Sequence, residues 1–429
     1  MTTLAESGAD VLIIGAGPAG LSAAIELRRL GIERVVVAER ECEAGGVPRH
    51  CNHTGFGIRD LHRSMSGPRY SAELVRRALA SGAQILTGTT VTEFAEGGSV
   101  HLTSRSGIHE INTHAVLIAS GARERPRSAR LVPGDRPSGI FTTGQLQQWT
   151  YLKRLPVGSR AIVIGAEHVS FSAMLTLRHA GVRTIALTTE LARHQSIAPF
   201  AIAARTLFHV PIWINTRLVG INGRSRVSEV VLEDIVSGKR RSESVDTVVF
   251  SGGWIPDNEL SRRAGLEIDP GTLGPSTDIG GRTSVSSVYA AGNLLHPVET
   301  ADVAALRGRE VARELVGDLR SGKSNSARDR VALVTEAPLS WVWPNTVHPS
   351  QHVVSVLLRT SEFDSRRLVI AHQDGRVVGS SRTARVVPNR SLSISGSFIE
   401  NIDLHGGPVK LSLEGGRAAP SSTPKSRAG

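Results

Sequence analysis

Gly15, Gly17 and Gly20 follow the spacing G-x-G-x-x-G within Gly-Ala-Gly-Pro-Ala-Gly, immediately after the apolar run Ala9–Ile14. Beyond them Leu21, Ala24 and Ile25 recur at helical spacing, and Gly31 follows Leu30 as a helix stop. In that setting each glycine has a task. The first permits a tight turn, the second lets a pyrophosphate approach the backbone, and the third lets the helix pack on the strand. The helix N-terminus adds unpaired N–H groups and a partial positive charge for the phosphates. A second apolar run, Arg34–Ala38, ends at Glu39, an acid about 20 residues past the glycines that can accept hydrogen bonds from a ribose.

A second set of chemically capable residues follows Gly45-Gly46, in Val47-Pro48-Arg49-His50-Cys51-Asn52-His53. Arg49 could hold a substrate carboxylate bidentately. His50 or His53 could take a proton during amine or alcohol oxidation. Phosphate binding, or capping of the next helix, serves these residues equally well. Cys51 is a candidate thiol, whereas Cys42, ahead of the glycine pair, reads as an ordinary small buried side chain. These are the only two cysteines, too few for an iron–sulfur cluster or a zinc site, so no metal is expected in this chain. His296, Glu299 and Thr300 come just after the Asn293 turn and could also face a bound cofactor ring, though each taken singly reads as structural; Trp341 and Trp343 read as core.

The elements that must carry these groups occur twice. Arg160–Gly165 opens another strand–turn–helix–strand unit, continuing through Phe171–His179 and Arg183–Leu187. Its turn is Gly165-Ala166-Glu167-His168-Val169-Ser170, with Glu at the second glycine position and Ser at the third. A carboxylate there fills the space of a pyrophosphate. Two like charges about 4 Å apart repel by about 4 kcal/mol at an effective dielectric near 20, so the fold survives and tight dinucleotide binding does not.

Around these units, a helix is expected over 70–81 and a β-meander over 85–111, with turns at 96–98 and 106–107. Strands are expected at 115–119, 246–250 and 287–291, and an amphipathic helix at 300–319. Small-residue turns follow at Ser120-Gly121-Ala122 and Ala291-Gly292-Asn293. Residues 321–328 read as a polar linker, 331–414 as a small β-rich domain and 415–429 as a disordered tail. The chain has 429 residues, 40% hydrophobic and 21% charged, with no run long enough for a membrane span. The first residues lack a basic start and an apolar signal core, which makes a cytoplasmic location the default. The net charge of +11 includes Arg123, Arg125, Arg127, Arg130 and Arg136, read as a solvated basic surface because no nucleic-acid motif accompanies them.

Together these features resemble the two-dinucleotide-binding-domain flavoproteins, the pyridine nucleotide–disulfide oxidoreductase superfamily. The carriers are the turn at 15–20, Glu39-Arg40 with Gly45-Gly46, Ala119–Ala122, the unit at 162–187, Gly253-x-x-Pro256 and Tyr289–Asn293. The resemblance implies an α/β chain with two Rossmann-like domains, the second inserted in the first. FAD would lie in a domain of 1–150 and 247–328, and NAD(P)-type topology in 151–246. It places the FAD pyrophosphate on Gly15, Gly17, Pro18, Ala19 and Gly20, and the adenosine ribose on Glu39. Arg40, Gly45, Gly46, Ser120 and Gly121 belong to the same cofactor set, and Gly292 and Asn293 approach the ribityl chain and flavin. Asn293 stands where the family usually has Asp.

The redox cysteine pair, four residues apart after the glycine pair in the disulfide reductases, has no counterpart here. The Gly45–Cys51 segment, with Phe56-Gly57 and Gly67-Pro68-x-Tyr70, is more similar to FAD subunits of amino-acid, opine and amine oxidases and dehydrogenases. Cyanide-forming glycine dehydrogenases and proteins accompanying glycerol-3-phosphate dehydrogenases look similar. That class implies a second flavoprotein and a small ferredoxin-like iron–sulfur chain as partners. The expectation is therefore an FAD-dependent oxidoreductase acting on a small amine, amino acid or hydroxy acid. The alternatives are an NAD(P)H-dependent flavoprotein reductase and a non-catalytic FAD-bearing scaffold.

Overall fold

The computed structural model describes residues 8–94, 99–297, 299–322, 330–365, 367–383 and 385–414. The expected turn at 96–98, most of the 321–328 linker and the 415–429 tail lie outside these described residues. The chain divides into two compact units, 1–327 and 328–429.

In the first unit, β-branched and apolar strands buried on both faces build a parallel sheet, as near-continuous hydrophobic runs require. Ala9–Ile14 lies between Val35–Ala38 and the long strand Gly107–Ile118, with Gln84–Leu86 at one edge and Val288–Ala290 joining the far side of Gly107–Ile118. Val11 pairs with Val35 on one side and Ala115 on the other, so the strand leading into the glycine turn is central. The meander is shorter than the sequence suggests. Residues 84–86 belong to the parallel sheet, and the strand expected at 115–119 begins at Gly107. Its first half pairs antiparallel with Ser99–Ser104, and its second half pairs parallel with Ala9–Ile14. A single strand thus serves both layers, which alternation alone does not reveal.

Two helices cross over the glycine turn. Pro18–Arg29 packs against Ala301–Ser321 through Leu21, Ala24, Leu27, Val311, Ala312 and Leu315. Gly308 sits at the crossing, where an added Cβ would collide with the Ala19 carbonyl oxygen. Glu26 receives Arg29 and Arg313 at 2.7 and 2.6 Å and ties the two helices polar-side as well.

A second parallel sheet has the order Ile140–Thr142, Thr247–Phe250, Arg160–Ile164, Arg183–Thr188, Ile212–Trp213. Thr247–Phe250 and Ile140–Thr142 therefore belong to this layer and not to the first one, as the sequence-based boundaries had it. They flank a sheet whose core strand, Arg160–Ile164, is apolar on both faces. A three-stranded antiparallel sheet over Thr216–Ser244 covers one side. Two strands, Ala122–Glu124 and Trp254–Pro256, pair antiparallel and carry the chain between the layers.

The second unit holds a five-stranded sheet and a three-stranded sheet. Trp341 and Trp343 are buried, as expected, with the Arg359 guanidinium over the Trp341 ring. Among the described residues no helix is long and apolar enough to cross a membrane, and no three His, Cys, Asp or Glu are grouped to hold a metal.

Candidate functional site

The first glycine turn is braced on the inside and open on the outside. Gly15 has φ +104°, and a Cβ there would lie 2.5 Å from the Ala119 carbonyl oxygen, so glycine is required. A Cβ on Gly20 would collide with the Gly15 carbonyl oxygen. Around Gly17, by contrast, nothing lies within 4 Å of a built Cβ. Gly17 is the N-cap of Pro18–Arg29, no side chain caps that helix, and Pro18 occupies its first turn, where its missing N–H costs nothing. Glu39, at the end of its strand, accepts the Ala16 N–H and the Glu41 N–H, each at 2.9 Å, one on each oxygen. A carboxylate has about four lone-pair sites, so it retains capacity for a ribose hydroxyl. Gly46, at φ +64°, backs onto Gly17, with its built Cβ 2.8 Å from the Gly17 Cα.

The second turn has the same backbone and the opposite filling. Glu167 is the N-cap of His168–His179. Its carboxylate takes the Ser170 N–H, while its own N–H donates to Ser170 Oγ at 3.3 Å. The Ser251 hydroxyl donates to Glu167 Oε1. Built Cβ atoms on Gly165 and Gly252 would lie 2.9 and 3.2 Å from the Glu167 carboxyl group. The carboxylate thus occupies the mouth between the two glycine turns and uses the helix N-terminus itself.

The other expected site residues are distributed unevenly. Arg49 is held by Glu41 at 2.8 Å and by the Glu43 carbonyl at 2.7 Å. His50 is buried, and its Nε2 has no hydrogen-bond partner among the described residues. Burial pushes its pKa down to about 4. Cys51 donates to Gln147 Oε1 at 3.3 Å, and burial, aided by the charge of Glu124, pushes its thiol up to about 12. His53 donates from Nδ1 to the Thr54 carbonyl at 2.9 Å and stacks near Phe56. Arg40 is ion-paired with Asp257 at 2.9 Å, and the Ser120 hydroxyl donates to the Asp257 carbonyl. Asn293 turns its amide onto the Glu299 backbone in a reciprocal pair at 2.9 and 3.2 Å, bracing the approach to Ala301–Ser321. Gly121, with φ +79° and open space at its Cβ position, and Gly292, with φ +75°, both take backbone that only glycine adopts freely.

Two expectations need correction. Cys42 is exposed, because its segment loops outward before the glycine pair. The arginine cluster is not a uniform solvated surface. Arg127 is buried, donating to the carbonyls of Val132, Pro133 and Asp135, and Arg130 turns inward to the carbonyls of Ser251 and Gly252.

Residues 9–308 match the pyridine nucleotide-disulphide oxidoreductase family. The chain belongs to that family. Members of this oxidoreductase family bind FAD, and NAD(P) is also used within it. The chain is 30% identical over 295 residues to a thioredoxin reductase of Treponema pallidum (strain Nichols), covering 67% of this chain and 90% of that one. It is 28% identical over 344 residues to an opine oxidase subunit of Agrobacterium tumefaciens (strain Ach5), 72% of this chain and 66% of that one. The structure of a T. acidophilum thioredoxin reductase superposes with a TM-score of 0.61 at 21% identity, over 72% of this chain and 98% of that one.

The first cradle of this oxidoreductase fits FAD on its own geometry: open space at Gly17, an uncapped helix and a half-used Glu39 carboxylate. Reasoning from motifs missed one group. Glu124, at the end of the strand Ala122–Glu124, is buried; its Oε2 accepts the Gly144 N–H at 2.7 Å, and the Thr142 and Thr143 hydroxyls lie against the same carboxyl group. Burial pushes its pKa up to about 7, with the Glu167 charge adding to the rise. The only sequence signal is an acid four residues past Ser120 in an otherwise arginine-rich stretch.

Proposed function

We propose that this chain is an FAD-dependent subunit of dehydrogenase or oxidase type. It oxidises a small amine, amino acid or hydroxy acid and passes electrons to a partner chain or soluble acceptor, not to NAD(P). The observation that carries the reading is the contrast between an open first cradle and a second one closed by its own Glu167 carboxylate. Gly15, Gly17 and Gly20 with Pro18 and Ala19 would receive the pyrophosphate, and Glu39 the ribose. When bound, FAD supplies a hydride acceptor and an outlet for electrons singly or in pairs, while the protein supplies orientation and charge.

Disulfide reduction is set aside on the thiols. Both cysteines are free, and the buried one, with its pKa raised to about 12, is a poor nucleophile. The Agrobacterium relative is one subunit of an opine oxidase, which supports a partnered enzyme, and a second flavoprotein and a ferredoxin-like chain are the partners proposed.

Purified protein should be yellow, and micromolar NADH alone should bleach the flavin slowly or not at all. Rapid stoichiometric bleaching ends this reading. It would favour the second, an NAD(P)H-dependent flavoprotein reductase, which the complete five-stranded central sheet and the thioredoxin reductase likeness support.

A further inference from the structure

Between Glu43 and Glu73 the chain carries four arginines, no lysine and a single acid, Asp60. That acid is turned inward, buried and accepting the Tyr70 hydroxyl at 2.8 Å. Arg49 is held by Glu41 and Glu43. The other three, Arg59, Arg63 and Arg69, are exposed, and among the described residues none of them has an ion-pair partner. Arg59 reaches only the Thr300 hydroxyl, at 3.5 Å. Next to it Ile58 is an exposed apolar side chain.

This segment forms a braced lobe on the first cradle. It leaves from the turn that the Gly45 N–H ties to the Ala16 carbonyl at 2.8 Å. Its tip closes where the Leu61 and Arg63 N–H groups both donate to the Gly57 carbonyl, each at 3.1 Å. Gly57 has φ +80°, and a Cβ there would lie 3.0 Å from the Arg63 carbonyl oxygen and 3.1 Å from the Tyr70 ring. On the return leg the Gly67 N–H donates to the Cys51 carbonyl at 3.2 Å. From the other side the Arg59 N–H donates to Asp302 Oδ2 at 3.1 Å, at the start of Ala301–Ser321. The cradle's own turn and the helix that clamps it therefore both hold the lobe.

We propose that this lobe is the docking face for an acidic protein that accepts electrons one at a time. Three unpaired guanidinium groups with no exposed acid among them present charge of one sign, which an acidic surface complements. Arginine, not lysine, is the cation that protein interfaces enrich, and Ile58 supplies an apolar centre within the charged rim. Because the lobe is already ordered, docking costs little further freedom. A second copy presenting the same face is repelled. Nucleic acid calls for exposed rings on which bases stack, whereas Phe56 packs between His53 and Tyr70 at centroid distances of 5.1 and 6.0 Å. The electron-accepting character of the partner rests on the FAD reading above, since the lobe stands beside the open cradle. Each reduced flavin returns to FAD by giving one electron to each of two acceptor molecules and its proton to solvent.

The acidic haem domain of cytochrome b5 and the basic cytochrome c, both ferric, serve as probes in anaerobic stopped flow against the light-reduced, flavin-loaded chain. The b5 rate should fall about tenfold as salt rises from about 20 to about 300 mM, and the cytochrome c rate should not fall. The double variant Arg63→Glu, Arg69→Glu should slow b5 about tenfold at low salt and speed cytochrome c. Ile58→Ser should slow b5 while leaving its salt dependence unchanged. A b5 rate indifferent to salt or to the double variant overturns the proposal, as does a wild type that reduces cytochrome c faster than b5. Tighter binding of a single-stranded oligonucleotide than of b5 overturns it too. A colourless chain that refuses FAD sinks the functional reading instead. Binding of b5 to that chain at low salt, lost in the double variant, then decides for the lobe alone.

Discussion

Gly17 and Glu167 occupy the same position of the same strand–turn–helix unit, 150 residues apart. At Gly17 the helix N-terminus faces open space; at Glu167 a side chain satisfies it. The backbone of a dinucleotide fold is thus not evidence of a dinucleotide. Each helix N-terminus leaves unpaired N–H groups, and a carboxylate satisfies them as well as a phosphate does. The second strand–turn–helix unit keeps its place in the sheet with either filling, since the buried strands Arg160–Ile164 and Thr247–Phe250 pair with each other.

Carrying the second turn's residue into the first gives the largest expected effect. Gly17→Glu should weaken FAD binding by about 4 kcal/mol, roughly a thousandfold, read by flavin retention on gel filtration. Retention unchanged would mean that the two turns do not differ as described.

The next effect concerns the charge shared near the second turn. Because burial raises the Glu124 pKa from 4.5 to about 7, the native chain holds a proton that the unfolded chain releases between those values. Stability therefore falls as pH rises through that window and is level above it. Glu124→Gln should remove the fall, a difference of about 3 kcal/mol at pH 8 before lost hydrogen bonds, seen in denaturant midpoints at pH 5 and pH 8.

Removing the brace of the open turn is milder. Glu39→Ala deletes the acceptor of the Ala16 and Glu41 N–H groups and should weaken FAD binding by about 2 kcal/mol, some thirtyfold by fluorescence titration. Smallest, Glu167→Gly unplugs the second turn. NADH-driven bleaching should rise about tenfold, at a helix-capping cost of a few tenths of a kcal/mol in thermal melts. No change in bleaching would show that the carboxylate is not what closes the pocket.

The glycine turns, Glu39 and the plug at Glu167 were legible because each is a local rule: spacing, φ and one charge. The layer boundaries were not. Thr247–Phe250 has the same apolar composition as a strand of either sheet, and only its register with Arg160–Ile164 assigns it. Arg127 and Arg130 read as surface because arginine usually is, yet a loop rich in carbonyls draws both inward. Glu124 escaped notice for a related reason: its acidity is set by burial against a helix from the other layer, a contact no short motif encodes.

Gly308 brings the last long helix of the first unit onto the backbone of Ala19. Nearly three hundred residues of chain separate the two. During synthesis, then, the opening strand and its turn leave the ribosome long before the element that clamps them. The nucleotide cradle reaches its final form only late in translation, and a chain cut before that helix should emerge without a grip on its cofactor.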